Sequence, residues 1–323
     1  MQKLLFLFLI FILAFGCIEP IVEEQNQSHQ LPKINKSNTT YLQNPLVDSG
    51  QVVLTSNIEY ANVDGTSLLL DIYTPVNITE KLPLIVWIHG GAWTTGSKND
   101  VISSAASISN GGYVVASIDY RFSQDEIFPA QIHDVKAAIR WLRANEAKYN
   151  YTTEKIGVIG SSAGGHLASL LGTSGDVEEL EGNIGGNLGY SSKVQAVVDL
   201  YGPVNLVTLT GDCSGICYMD HDSPTSPESN LIGCQLSQCL DKAKAASATN
   251  YISVDDPPFL IIHGDQDGTV APAQSENFYA NLTNAGVEAK FMVAEGYDHT
   301  RAIATAYKQE ILIFFDKYLK NST

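Results

Sequence analysis

The chain is poor in basic residues. Nineteen Lys and Arg stand against 35 Asp and Glu, giving a formal charge of -16 over 323 residues. Nucleic-acid phosphates demand a basic surface, so the deficit argues against DNA or RNA as a partner. The excess acid names no substrate, because a soluble acidic surface accounts for it. Cysteine is scarce too, at five residues. No internal repeat is visible, so nothing points to a repeat array. The one long apolar run, residues 4–15, is too short for a comfortable transmembrane helix. What remains is ordinary apolar content in a chain long enough for one large α/β core.

The apolar run has the form of a targeting segment over residues 1–16. Lys3 supplies the positive start, and the run ends in Ala14-Phe15-Gly16-Cys17. A small residue before cysteine resembles the cleavage and lipidation site of prokaryotic lipoproteins, which makes Cys17 the lipidation candidate. An uncleaved anchor and a plain secretory signal are the alternatives. Residues 17–50 are polar and aperiodic, and read as a flexible tether. N-x-S/T triplets at Asn26, Asn35, Asn38, Asn77, Asn150, Asn281 and Asn321 fit an exported chain. On this reading the protein meets the membrane only through its N-terminus, on the outer face of the cell.

The other cysteines are Cys213, Cys217, Cys234 and Cys239. Four cysteines allow three pairings, and spacing does not choose among them. An oxidising compartment favours disulfides that staple a surface insertion. A zinc site is the rival, although C-x3-C and C-x4-C differ from the tighter zinc knuckle.

From residue 51 strand and helix patterns alternate, and a catalytic domain over 51–320 is expected. Residues 52–60 and 67–73 form an expected hairpin with Asp64-Gly65 as its turn. Continuous apolar runs at 84–88, 113–118, 155–159, 194–200 and 259–262 read as strands covered on both faces. A further strand is expected at 290–294. Helices are expected at 131–149, after residue 164, at 273–285 and at 301–319. This alternation implies a mostly parallel sheet wrapped by helices. Residues 205–250 interrupt it and carry the four cysteines, so they read as an insertion above the carboxyl edge of the sheet, where such folds place their sites.

The chemistry starts at Gly160-Ser161-Ser162-Ala163-Gly164, a G-x-S-x-G elbow between a buried strand and a helix. Such a turn pushes the Ser162 hydroxyl into the open. A serine needs a base, and histidine suits the task near neutrality. A carboxylate must then hold the imidazole. The order serine, acid, histidine is the one to search for in this kind of fold. After the strand at 259–262, Asp265 and Asp267 compete for the acid role. Asp267 lies farther into the loop and is preferred, with Asp265 ordering the turn. After the strand at 290–294, His299 is the candidate base, and neighbouring Asp298 is read as surface. His89-Gly90-Gly91-Ala92-Trp93 follows another strand, so Gly90 and Gly91, with the amide of Ala163, are the expected oxyanion donors. His89 is read as bracing that loop, and His166 and His263 as packing.

Together these motifs resemble α/β-hydrolase esterases, as do Asp119-Tyr120-Arg121, Phe128-Pro129-Ala130-Gln131-Ile132-His133-Asp134 and Asp256-Pro257-Pro258-Phe259. The nearest branch is the BD-FAE-like group, related to hormone-sensitive-lipase-type carboxylesterases. The resemblance implies an α/β-hydrolase fold, the triad Ser162, Asp267 and His299, no metal or other cofactor, and a small-molecule or polysaccharide-linked ester as substrate. It also implies a structural role for Arg121 and Asp134, as a fixed ion pair. Departures are Thr300 after His299, where relatives carry glycine, and the cysteine-bearing insertion. The expected activity is that of a serine carboxylesterase. A prolyl-oligopeptidase-type peptidase and a catalytically inactive surface-binding scaffold are the alternatives.

Overall fold

The computed structural model describes residues 39–43, 51–213 and 215–320. Cys17 and the 1–16 segment lie outside them, as does most of the stretch expected as a tether. Residues Thr39–Gln43 of that stretch form a strand, β1.

Strand β2 (Gln51–Val63) and β3 (Thr66–Pro75) are the expected hairpin. Its turn residues take positive φ, 51° at Asp64 and 89° at Gly65, which matches the twist of the flanking strands. The remaining strands are β4 (Leu82–Ile88), β5 (Val114–Ile118), β6 (Tyr151–Ser161), β7 (Ala196–Leu200), β8 (Phe259–Gly264) and β9 (Ala289–Ala294). They join one sheet in the order β1-β2-β3-β5-β4-β6-β7-β8-β9. Pairing is parallel from β5 to β9 and antiparallel on the β1–β3 side.

The continuous apolar runs are explained by two cores. Leu84, Val86 and Ile88 of β4 face one core, while Ile85 and Trp87 face the other. Likewise Phe259 and Ile261 of β8 face one side, and Leu260 and Ile262 the other. The first core is covered by α2 (Ala130–Ala144), α3 (Ala163–Thr173) and α4 (Ala273–Asn284), through Ile132, Leu167, Phe278 and their neighbours. The second is covered by α1 (Ile102–Ser109) and α5 (Lys308–Phe315), through Ile108, Ile311 and Phe315.

Two expected helices are interrupted. The one at 131–149 stops at Ala144 and resumes for a single turn, Glu146–Tyr149. The closing helix is divided into Ala302–Ala306, α5 and a last turn Asp316–Lys320. Tyr307 makes the break at φ -102° and ψ 19°. Its hydroxyl donates to the carbonyl of Val293 at 3.2 Å, and its ring packs edge-on against Tyr297.

The cysteines form two local disulfides, Cys213–Cys217 and Cys234–Cys239. The sulfurs are bonded to one another, so the four-thiolate zinc alternative does not describe this structure.

Sheet order fixes where a site can form. From β4 the chain moves to β5 on one side, and from β6 to β7 on the other. Loops leaving in opposite directions open a crevice at the carboxyl ends of β4 and β6. The His89–Trp93 loop follows β4, and Ser162 follows β6.

Candidate active site

Ser162 sits between β6 and α3 at φ 55° and ψ -123°. Positive φ is strained for a residue with a Cβ, and must be held by its surroundings. Two backbone hydrogen bonds hold it here. The Ser162 amide donates to the carbonyl of Leu200 at 2.9 Å, and the His166 amide donates to the carbonyl of Ser162 at 2.9 Å. The flanking glycines are required by close approach. A Cβ on Gly160 would lie 2.0 Å from the carbonyl oxygen of Gly164, and one on Gly164 would lie 2.2 Å from that of Ile88. Both obstacles are backbone and cannot swing aside.

The loops after β8 and β9 bring two further side chains to this serine. His299 Nε2 lies 2.8 Å from Ser162 Oγ, and His299 Nδ1 lies 2.7 Å from Asp267 Oδ2. The hydroxyl donates to Nε2, and Nδ1–H donates to the carboxylate. Asp267 is fully buried, while His299 keeps 18% of its side chain exposed. Asp267 Oδ1 accepts from the amides of Thr269 and Val270 at 2.8 and 2.9 Å. Burial pushes the carboxyl pKa up. Hydrogen bonds and charge from His263 and His299 outweigh it and hold the carboxyl well below the usual range. Asp265 orders the neighbouring turn instead, accepting from the Gly296 amide at 2.7 Å. Asp298 is exposed. Thr300 Oγ1 accepts from the Ala302 amide at 3.3 Å, just before the short helix Ala302–Ala306.

The third loop is oriented through its carbonyls. In a trans peptide the N–H points opposite the preceding C=O. Tyr120 donates to the carbonyl of His89 at 3.0 Å, which aims the Gly90 amide. His89 Nδ1 donates to the carbonyl of Gly90 at 2.7 Å, which aims the Gly91 amide. Gly90 lies flush with the elbow, where a Cβ would sit 2.7 Å from the Ser161 carbonyl oxygen. His89 braces the loop by stacking on Tyr120, with centroids 4.4 Å apart, and burial lowers its pKa. The Ala163 amide opens α3 and belongs to the first helical turn, where backbone donors lack helical partners. Ser162, His299, Asp267 and the Gly90 loop therefore meet in one crevice.

This assembly is matched by known proteins. The BD-FAE family model matches residues 70–282. The chain belongs to the BD-FAE family. Esterase LipQ of Mycobacterium tuberculosis is 32% identical over 236 residues, which is 72% of this chain and 53% of LipQ. Esterase LipC of the same organism is 30% identical, covering 68% of this chain and 53% of LipC. The chain thus spans about half the length of the curated relatives it matches. Among solved structures, a truncated carbohydrate esterase from gut microbiota superposes with a TM-score of 0.75 at 35% identity, covering 82% of this chain and 95% of that one. The propionate-bound esterase Est2 of Thermogutta terrifontis superposes with a TM-score of 0.65 at 26% identity, covering 83% and 96%. The fold of this BD-FAE member is therefore the α/β-hydrolase fold of esterases.

Several residues around the crevice escape the motif search. Tyr201, just after β7, has φ 47° and sets its ring edge-on to His299, with centroids 4.7 Å apart. His263, expected to pack, also touches Asp267. His166 is a bridge. Trp93 Nε1 donates to its Nδ1 at 3.2 Å, and its Nε2 donates to the carbonyl of Ala246 at 2.6 Å. That links the Gly90 loop, the elbow helix and the end of the insertion.

The insertion reaches the acid loop as well. The Tyr218 amide donates to the carbonyl of Gly268 at 2.7 Å, and His221 Nε2 donates to that of Thr269 at 2.9 Å. Behind the crevice, Arg121 clamps Asp134 with Nη2 on Oδ1 at 2.7 Å and Nε on Oδ2 at 2.9 Å. Arg121 and Asp134 are thus a fixed, largely buried ion pair, as the resemblance implies.

Proposed function

We propose that this chain is a serine carboxylesterase working through an acyl-enzyme. The observation that carries the reading is the unbroken hydrogen-bond relay from Ser162 Oγ to His299 to Asp267. As Ser162 attacks the ester carbonyl, His299 takes its proton and Asp267 stabilises the imidazolium. The carbonyl oxygen gathers negative charge as the bond forms. The amides of Gly90, Gly91 and Ala163 receive it, already oriented by their neighbours. His299 then protonates the departing alcohol, and water, activated by the same imidazole, releases the acid. Activity on esters is supported by the named activities of LipQ and LipC. The likeness to a carbohydrate esterase supports a sugar-borne ester as one substrate class.

Ser162→Ala should abolish turnover of a p-nitrophenyl acyl ester while leaving the circular dichroism spectrum unchanged. Retained turnover would sink the assignment. Aminoacyl amides tested beside simple esters separate it from a peptidase, and labelling by a fluorophosphonate separates it from an inactive scaffold. We further propose that the protein is exported and held by lipid at Cys17. The two disulfides suit an oxidising compartment. Cys17→Ser should then move the protein from membrane to soluble fractions; unchanged fractionation refutes lipid attachment.

A further inference from the structure

We propose that His263 is a positioning residue that tunes the base His299 through their shared carboxylate. The inference rests on the serine-esterase reading above. His263 lies in β8, and its side chain is fully buried. Its Nε2 lies 3.1 Å from Asp267 Oδ2 and 2.9 Å from the carbonyl oxygen of Val270. A carbonyl only accepts, so Nε2 carries the hydrogen and is shared between the two oxygens. On the other side of the ring, Ser275 Oγ of α4 lies 2.7 Å from Nδ1 and donates to it. Both ring nitrogens are thereby hydrogen-bonded.

The same Oδ2 accepts Nδ1–H of His299 at 2.7 Å. One carboxylate oxygen therefore serves two imidazoles, while Oδ1 serves two amides. Val270 enters twice, with its amide on Oδ1 and its carbonyl on His263, which closes a ring of contacts around the carboxylate.

The chemical consequence follows from competition for that oxygen. A second donor on Oδ2 withdraws electron density from it. His299 then leans on a weaker acceptor than an unshared carboxylate would be. A weaker acceptor stabilises the imidazolium less, so His263 sets how firmly Asp267 supports His299 as it takes the serine proton. The other titratable groups around the pair are few. Asp199 of β7 acts on His263 from the adjacent strand. Tyr201 places its ring edge-on to both histidines. Asp298 and Arg301 flank His299 along the chain. None of them reaches Oδ2 of Asp267.

The test is the pH profile of kcat/KM on p-nitrophenyl acetate for three proteins. His263→Leu removes the donor, and His263→Gln keeps an N–H near the position of Nε2. The leucine variant should shift the acid limb upward by about 0.5–1 pH unit, and glutamine should return it toward wild type. A merely structural role would lower kcat/KM without moving the limb. A folded, active leucine variant with the wild-type limb overturns the proposal. Should leucine prevent folding, Ser275→Ala loosens the ring from the other side and should shift the limb in the same direction by less. An unmoved limb there overturns the proposal equally. Failure of the esterase reading is seen separately, as unimpaired turnover by Ser162→Ala.

Discussion

Acid should weaken this protein through one histidine whose ring reacts with nothing. His166 is fully buried between Trp93 Nε1 and the carbonyl of Ala246. Burial lowers its pKa from 6.5 to about 4, against a smaller raising effect of the Ala246 hydrogen bond. The unfolded chain therefore takes up the proton first as pH falls. Stability from the neutral ring is complete above pH 6.5 and is lost on the way down to pH 4. The gap of 2.5 pH units, at 1.36 kcal/mol each, corresponds to about 3 kcal/mol. Asp199 opposes this trend. Burial raises its pKa to about 6, so the folded state binds its proton first and gains stability in the same acid range. Comparison of two proteins that both carry Asp199 cancels that contribution. His166→Gln cannot titrate, and its amide replaces one donor and one acceptor. Urea unfolding of both proteins by tryptophan fluorescence, from pH 7 to 4.5, gives the difference directly. The advantage of wild type over the glutamine variant should shrink by about 2–3 kcal/mol over that range. A difference constant to within ~0.5 kcal/mol would refute the reasoning, because the folded and unfolded rings would then titrate alike.

Two further outcomes follow from packing. Gly164→Ala drives a Cβ into the carbonyls of Ile88 and His89; displacement of the elbow should cost kcat/KM at least about 100-fold, and near-normal ester turnover would refute it. Arg121→Lys replaces a two-pronged clamp on a buried carboxylate with a single ammonium. The loss should be about 2–3 kcal/mol, read as a lower midpoint in thermal unfolding, and an unchanged midpoint contradicts the fixed-clamp view.

Much of the sheet was readable because buried parallel strands leave apolar runs. Leu84 to Ile88 face a core on both sides, and no polar position interrupts them. The meeting of Ser162, Asp267 and His299 was readable because Ser162 and Asp267 follow buried runs at their carboxyl ends and His299 follows the next strand in the expected order, although that strand is only partly buried. Less local features left no such trace. His263 ends a buried strand, and that position looks the same whether the ring packs or touches a carboxylate. Tyr201 takes a left-handed conformation that no glycine or asparagine advertises. The break at Tyr307 sits where its hydroxyl meets the carbonyl of Val293, in another element, a contact that local sequence does not announce. The disulfide pairing depends on how the insertion folds, and three pairings share the same spacing. Strand β1 lies in a polar stretch read as a tether, although Thr39, Thr40 and Tyr41 are strand formers, and it pairs antiparallel with β2.

The first turn of the elbow helix α3 meets the neighbouring strand ends through its glycines. Gly164 abuts the carbonyls of Ile88 and His89. Gly165 leaves room for Asp199, and Gly202 lies against the backbone of Gly165. At Gly164 the obstacle is backbone, so an added Cβ must displace the chain itself. The insertion reaches the same site differently, through the hydrogen bonds of Tyr218 and His221 to the acid loop. The nucleophile's position is therefore set by the packing of backbone on backbone, whereas the insertion meets the site through individual hydrogen bonds.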